Sequence, residues 1–136
     1  MKRKIVSCIN GLLLLFFCLA IISCSEDSAA PASKSRNVKF EMTGSYTGKI
    51  VVAHTLANGG TQAFSDIRLP WTKEVVYENT VGGIGFSGSG EISLSNVPGQ
   101  SVTINIYSDN KIVKTGSASV DSNQILLLPS LSFVFP

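Results

Sequence analysis

The sequence predicts an all-β domain after residue 36, built as an antiparallel sandwich or a small barrel. Apolar and polar residues alternate with a period of two, as at Val38, Phe40 and Met42, and this period marks a half-buried strand. Turn-forming pairs such as Pro98-Gly99 recur at short intervals. No stretch after residue 24 carries a helical stripe of apolar residues.

The first four expected strands are divided by glycine and proline. Asn58-Gly59-Gly60 separates the second from the third, and Pro70 ends the third because proline has no N–H to donate to a sheet. A run of β-branched and aromatic residues then follows Trp71. The expected bounds, good to about 3 residues, are 38–45, 48–56, 61–68 and 72–79.

The fifth expected strand has two different faces. Every second position on one side of this segment is apolar or glycine, and the apolar residues are Ile84, Phe86, Ile92 and Leu94. Small and polar residues occupy the alternate positions. One apolar face should therefore run from 83 to 95. Glycines at 88 and 90 interrupt the apolar parity, which predicts a bulge or bend.

Three further strands complete the prediction. Asp109-Asn110 suits a two-residue hairpin turn in which both residues have positive φ. The final segment has apolar residues on both faces before Pro129. It should therefore lie at the centre of a sheet or close the sandwich. The expected bounds of these strands are 101–108, 111–119 and 124–135.

The N-terminus has the three parts of a secretory signal. Lys2, Arg3 and Lys4 precede an uncharged apolar run from 11 to 22, and the run ends in Ile21-Ile22-Ser23-Cys24. This ending resembles a bacterial lipobox, in which Cys24 receives a diacylglycerol thioether, becomes the mature N-terminus and is acylated on its amine. Two or more acyl chains anchor a protein stably to a membrane. The alternative is an ordinary secretory signal that contains an incidental cysteine.

Residues 25–27 refine the expected location. Ser25-Glu26-Asp27 is similar to the acidic export signal of Bacteroidetes surface lipoproteins, which favours the outer membrane and its outer face. The alternative is a merely solvated tether. The expected organisation is therefore a signal peptide over 1–23, a lipidated cysteine with a flexible tether over 24–36, and one domain over 37–136.

Composition excludes several functional classes. All three cysteines (Cys8, Cys18 and Cys24) precede the domain, which therefore contains no disulfide and no cysteine ligand for a metal. Of 11 Lys and Arg residues three lie in the signal, and the remainder is nearly balanced by 9 Asp and Glu residues. Without a basic patch, nucleic acid is not an expected partner.

Catalytic motifs are not evident in the domain. His54 is the single histidine of the chain and falls within an expected strand, so a structural role is predicted for it. The glycine spacing from Gly83 to Gly88 matches a dinucleotide-binding motif but is followed by strand instead of helix. We therefore predict a protein that is not an enzyme and has no cofactor, metal or catalytic residues.

Two aromatic residues are candidates for binding. Trp71 follows Pro70 and should plug the end of the sandwich with its large ring. The alternative is that Trp71, together with Tyr77, forms an aromatic platform for a sugar or a partner protein.

Three stretches resemble the MmpS family of small mycobacterial membrane proteins, in the same order and at similar spacing. They are Val38-Lys39-Phe40-Glu41-Met42-Thr43-Gly44, Ile67-Arg68-Leu69-Pro70-Trp71-Thr72-Lys73-Glu74 and Val102-Thr103-Ile104-Asn105-Ile106-Tyr107-Ser108-Asp109-Asn110-Lys111-Ile112-Val113-Lys114. The resemblance implies an immunoglobulin-like sandwich that assists an RND-type exporter. Here a lipid anchor replaces the transmembrane helix of that family.

The expected function is therefore that of an envelope lipoprotein. Its partners should be the membrane, bound through Cys24, and an envelope protein such as an RND-type transporter. The alternative is a surface carbohydrate-binding module that uses Trp71.

Overall fold

The computed structural model describes residues 36–136, and this range contains β-strands and no α-helix. The eight strands are β1 (Asn37–Gly44), β2 (Ile50–Thr55), β3 (Thr61–Ile67), β4 (Trp71–Val76), β5 (Gly83–Gly90), β6 (Ser101–Ser108), β7 (Lys111–Ser119) and β8 (Leu127–Val134). Cys24, the expected signal and the expected tether up to residue 35 lie outside the described residues. No helix among the described residues has the length and apolarity needed to cross a membrane.

The strands form two four-stranded sheets, with orders β4-β1-β6-β7 and β3-β2-β5-β8. Every pairing between neighbouring strands is antiparallel. One parity of each central strand faces inward, as the alternation predicted, and the two inner faces share one apolar core. The predicted all-β antiparallel sandwich is therefore confirmed. Its largest fully buried side chains are Phe40, Met42, Ile50, Ile104, Ile106, Leu126, His54, Val52 and Val102.

The sandwich has two distinct ends. At the proximal end the chain begins β1 at Asn37, and the loops β2–β3, β4–β5 and β6–β7 and the C-terminus lie there as well. The distal end carries the other four loops, over residues 45–49, 68–70, 91–100 and 120–126. Arg36, just before β1, is held at the proximal end because its guanidinium donates to the Val81 carbonyl and lies 5.0 Å from the Phe135 ring centroid.

The β6–β7 hairpin has the predicted geometry. Asp109 and Asn110 have φ values of 50° and 62°, so both residues of the turn lie in the left-handed region. The bulge predicted in the fifth strand is also present, because the register between β5 and β8 shifts between Phe86 and Gly88.

The predicted length of the fifth strand is wrong. β5 ends at Gly90, and the chain turns away at Glu91, whose N–H donates to the Lys49 carbonyl. Ile92 and Leu94 were expected on the buried face, yet they are 88% and 95% exposed.

The last strand closes the sandwich and does not lie centrally. β8 is an edge strand of its sheet, and it contacts β7, the edge strand of the other sheet. The approach is close at Gly116, where a Cβ atom would lie 2.8 Å from Pro129 Cγ.

Candidate functional site

The two aromatic residues proposed as a platform lie at opposite ends of β4. Trp71 begins the strand at the distal end, whereas Tyr77 follows its last residue at the proximal end. Six residues of extended chain separate them by about 20 Å. The two rings therefore cannot bind one ligand together.

Both rings pack against the core. Trp71 is half-buried, and its ring centroid lies 6.4 Å from that of Phe86. Tyr77 is 4% exposed and donates its hydroxyl to the Thr55 carbonyl at 2.7 Å. Burial raises the pKa of Tyr77 to about 12. Tyr77 is therefore a core residue whose ring offers no surface to a ligand.

His54 lies inside the sandwich and is 1% exposed. Its ring lies between those of Phe40 and Phe64, at centroid distances of 5.0 and 4.9 Å. Because a carbonyl oxygen can only accept, Nδ1 carries the proton that is donated to the Thr55 carbonyl at 2.8 Å. Nε2 is buried and has no hydrogen-bond partner among the described residues. This histidine is therefore a core residue and cannot reach a substrate outside the sandwich.

Between residues 36 and 136, no group of three or more His, Cys, Asp or Glu side chains is placed to hold a metal ion. Gly83 and Gly88, which match a dinucleotide-binding motif in spacing, lie within β5. The helix N-terminus that such a motif requires is therefore missing at this point of the described chain.

A polar cluster covers part of the outer face of the β4-β1-β6-β7 sheet. Tyr107 donates its hydroxyl to Glu41 Oε2 at 2.6 Å, and Lys39 Nζ lies 4.1 Å from the Tyr107 ring centroid and 3.5 Å from Glu41 Oε1. The Tyr107 hydroxyl holds the pKa of Glu41 below its ordinary value, and the same bond raises the pKa of Tyr107. The charged and hydrogen-bonding groups of these three side chains are therefore paired with one another. A cleft of about 500 Å³ lies next to them, towards Glu74 and Asp109.

The distal end presents a different kind of surface. Three large apolar side chains project from the 91–100 loop: Ile92 and Leu94 at 88% and 95% exposure and Val97 at 54%. A cavity of about 230 Å³ lies beside this loop, between Ser93 and the cationic side chains Lys49 and Arg68. Lys49 is paired with Asp66 at 2.5 Å, which lowers the pKa of Asp66 and raises that of Lys49.

Asn96 organises the distal loop. This side chain is 6% exposed and makes three hydrogen bonds: it accepts from the Tyr46 hydroxyl at 3.0 Å and donates to the carbonyls of Glu91 and Gln124, each at 2.9 Å. Those bonds join the 91–100 loop to both neighbouring distal loops. A buried amide that makes three hydrogen bonds holds the three loops together.

The distal loop was not predicted from the sequence as a functional surface. Ile92 and Leu94 continue the alternation of β5, so a period of two assigns them to the strand. Gly88 and Gly90, which interrupt the apolar alternation, are the local signals that could have ended the strand earlier.

No protein-family model matches this chain, and no curated protein matches it. The resemblance to the MmpS family stays a prediction.

Proposed function

We propose that this protein is a non-enzymatic lipoprotein of the outer membrane or cell surface, whose sandwich is a binding or accessory module for an envelope protein. The observation that carries the proposal is the position of the apolar distal loop, at the opposite end of the sandwich from Asn37. An anchor at Cys24 would attach to the proximal end through the 12 residues 25–36. The distal loop would then be free to bind.

The environment of His54 supports a non-enzymatic role. A general base must come within hydrogen-bond reach of the proton that it removes. The single histidine of the chain instead lies between two phenylalanine rings, with Nδ1 already bonded to the backbone. An RND-type transporter is the partner class that the MmpS resemblance implies.

The carbohydrate-binding alternative depends on Trp71. Sugar-binding aromatic residues stack one open face of the ring on the ligand, whereas Trp71 packs against Phe86 at the edge of the core. The protein-binding proposal is therefore favoured. A glycan array tests the alternative directly, and binding that is lost in Trp71→Ala but kept in Ile92→Ser would support the sugar module instead.

The anchor is tested by Cys24→Ala, expressed from the full chain. We expect the wild-type protein to partition with the membrane fraction and to carry fatty acid. Cys24→Ala should appear in the soluble fraction, because the substitution removes the thiol that would carry the lipid. Fractionation and metabolic labelling with a radioactive fatty acid measure both properties.

Two controls make this test specific. Ser25→Ala changes the neighbouring residue without removing the thiol, so labelling should persist. Near-ultraviolet circular dichroism of Cys24→Ala should match that of the wild type. Continued membrane retention of a folded, unlabelled Cys24→Ala protein would contradict the lipoprotein proposal.

A further inference from the structure

We propose that the 91–100 loop is a docking element that inserts Ile92 and Leu94 into an uncharged, apolar pocket of a second envelope protein. This inference deepens the proposed function and rests on it for the compartment of the partner. The exposed surface of the 91–100 loop does not depend on that proposal, because all of its residues belong to the described part of the chain.

Ile92 and Leu94 contribute almost nothing to the fold. At 88% and 95% exposure they bury little apolar area, whereas Ile84 and Phe86 on the same parity of β5 are 4% and 2% exposed. Single exposed apolar residues are ordinary, but this loop exposes two large ones two positions apart and also Val97, at 54%. Groups of exposed apolar side chains are a feature of interaction sites.

The loop is held in position before any partner binds. Besides the three bonds of Asn96, the Ser93 and Ser95 hydroxyls lie 2.7 Å apart, and the Asn96 N–H donates to the Ser93 carbonyl at 3.1 Å. The segment between Ile92 and Asn96 is therefore a compact turn. A loop already fixed in its bound conformation loses less conformational entropy on association.

The charges in and around the 91–100 loop indicate what kind of partner binds it. Residues 92–100 contain no charged side chain, and the nearby Lys49 is neutralised by Asp66. A loop that inserts into an anionic bilayer normally has lysine or arginine around its apolar tip. Here Glu91 precedes the tip, and among the described residues that line the cavity beside the loop Arg68 is the one cation outside the ion pair. A protein pocket that is apolar and uncharged is the better complement.

Position also favours a protein over the anchoring membrane. The chain leaves the sandwich towards Cys24 at the proximal end, and the distal loop lies at the other end of β1, a strand of 8 residues. That length corresponds to about 27 Å. The loop is therefore presented away from the attachment point.

The test places the photo-reactive residue p-benzoylphenylalanine at position 94 of the full-length protein in living cells. Position 134 is the matched control, because Val134 is also largely exposed (74%) but lies at the proximal end. We expect irradiation to join position 94, and not position 134, to one envelope protein. Adding Ile92→Ser should lower the yield of that adduct about tenfold.

The captured protein is then purified and its affinity for this chain is measured. Ile92→Ser/Leu94→Ser should weaken binding about tenfold or more, whereas Val76→Ser/Val134→Ser should change it by less than about twofold. Adducts with lipid alone, adducts with a second copy of this chain alone, or no adduct would each overturn the proposal. Equal binding by the two double variants would also overturn it.

The same experiment in the Cys24→Ala background separates this inference from the proposed function. If Cys24→Ala stays in the membrane, the lipoprotein proposal fails while the position-94 adduct still tests the loop. If Cys24→Ala is released and no adduct forms at position 94 of the anchored protein, the docking inference fails and the anchor stands.

Discussion

Asn96 shows how one polar side chain determines a local surface. Its carboxamide is buried and bonded to a tyrosine hydroxyl and two backbone carbonyls from separate parts of the chain. An aliphatic residue could fill this space but could satisfy none of those three groups. The orientation of Ile92 and Leu94 depends on this side chain.

Asn96→Ala should destabilise the domain by about 2–3 kcal/mol, because it removes three hydrogen bonds and leaves the buried Tyr46 hydroxyl without its acceptor. Urea unfolding measures the loss. Hydrogen exchange should show faster exchange of the amides between Ile92 and Asn96 than in the wild type.

Tyr46→Phe is the control for this prediction. It removes one bond of Asn96 and leaves the other two, so a loss of about 1 kcal/mol is expected. An Asn96→Ala protein as stable as the wild type would show that the network does not hold the loop.

Trp71→Ala should cost about 2–3 kcal/mol. Replacing a fully buried tryptophan by alanine typically costs about 3–5 kcal/mol. The expected cost is lower here because the Trp71 ring is only half-buried against Phe86. Denaturant unfolding checks the value. Val76→Ala on the same strand, at a side chain 70% exposed, should change stability by less than about 0.5 kcal/mol. An equally small effect of Trp71→Ala would restore the exposed-platform hypothesis.

At the scale of elements, pairing with β2 and β8 decides where β5 ends. Gly90 is opposite Ile50, the first residue of β2, so the ladder on that side stops there. A Cβ atom at Gly90 would lie 2.6 Å from the Tyr46 hydroxyl and 2.9 Å from Leu126 Cβ. The glycine thus leaves space for Tyr46 and Leu126, two core residues. This explains why a glycine, and not an apolar side chain, occupies this position on the inward face of β5.

The contact between β7 and β8 requires a glycine at position 116. Gly116→Ala places a methyl group 2.8 Å from Pro129 Cγ and 3.1 Å from Leu131 Cδ2, so these side chains or the two edge strands must shift. We expect a loss of about 1–3 kcal/mol in thermal or denaturant unfolding.

Gly82→Ala is the matched control for Gly116→Ala. No described atom lies within 4 Å of the added methyl group, and φ at this position is not in the left-handed region. The substitution should be neutral or stabilising by up to about 1 kcal/mol. A Gly116→Ala variant as stable as Gly82→Ala would show that the edges of the sandwich are not tightly packed.

At the scale of the whole molecule, stability should fall at alkaline pH. The chain has three tyrosines, and the pKa of each is raised: Tyr77 to about 12 by burial, Tyr46 by burial, and Tyr107 by its bond to Glu41. Above the unfolded pKa of about 10 the folded state binds more protons than the unfolded state. The contribution of each tyrosine is therefore complete below pH 10 and is lost as pH rises through its folded-state pKa, which is about 12 for Tyr77.

Chemical unfolding between pH 8 and 11 tests this pH dependence. Tyr77→Phe should be less stable than the wild type at pH 8, because the bond to Thr55 is lost, and its stability should fall less steeply with pH. Parallel pH profiles of the two proteins would contradict the assignment to Tyr77.

Local sequence patterns were sufficient to predict much of this protein. Side-chain parity, glycine and proline positions and the Asp109-Asn110 pair predicted eight strands, the sandwich class and the hairpin turn, because these features depend on residues close together in the chain. The lipobox prediction at Cys24 likewise depends on the sequence alone.

Only the tertiary structure decided which apolar residues are buried. Ile92 and Leu94 have the same parity as Ile84 and Phe86, yet they are exposed because the strand ends at Gly90. That end is set by partners far along the chain, such as Lys49 and Leu126, whose carbonyls accept from the N–H groups of Glu91 and Gly90. The alternation of apolar and polar residues along a strand contains no information about such long-range pairings. The exposed distal loop could therefore be identified only from the folded sandwich.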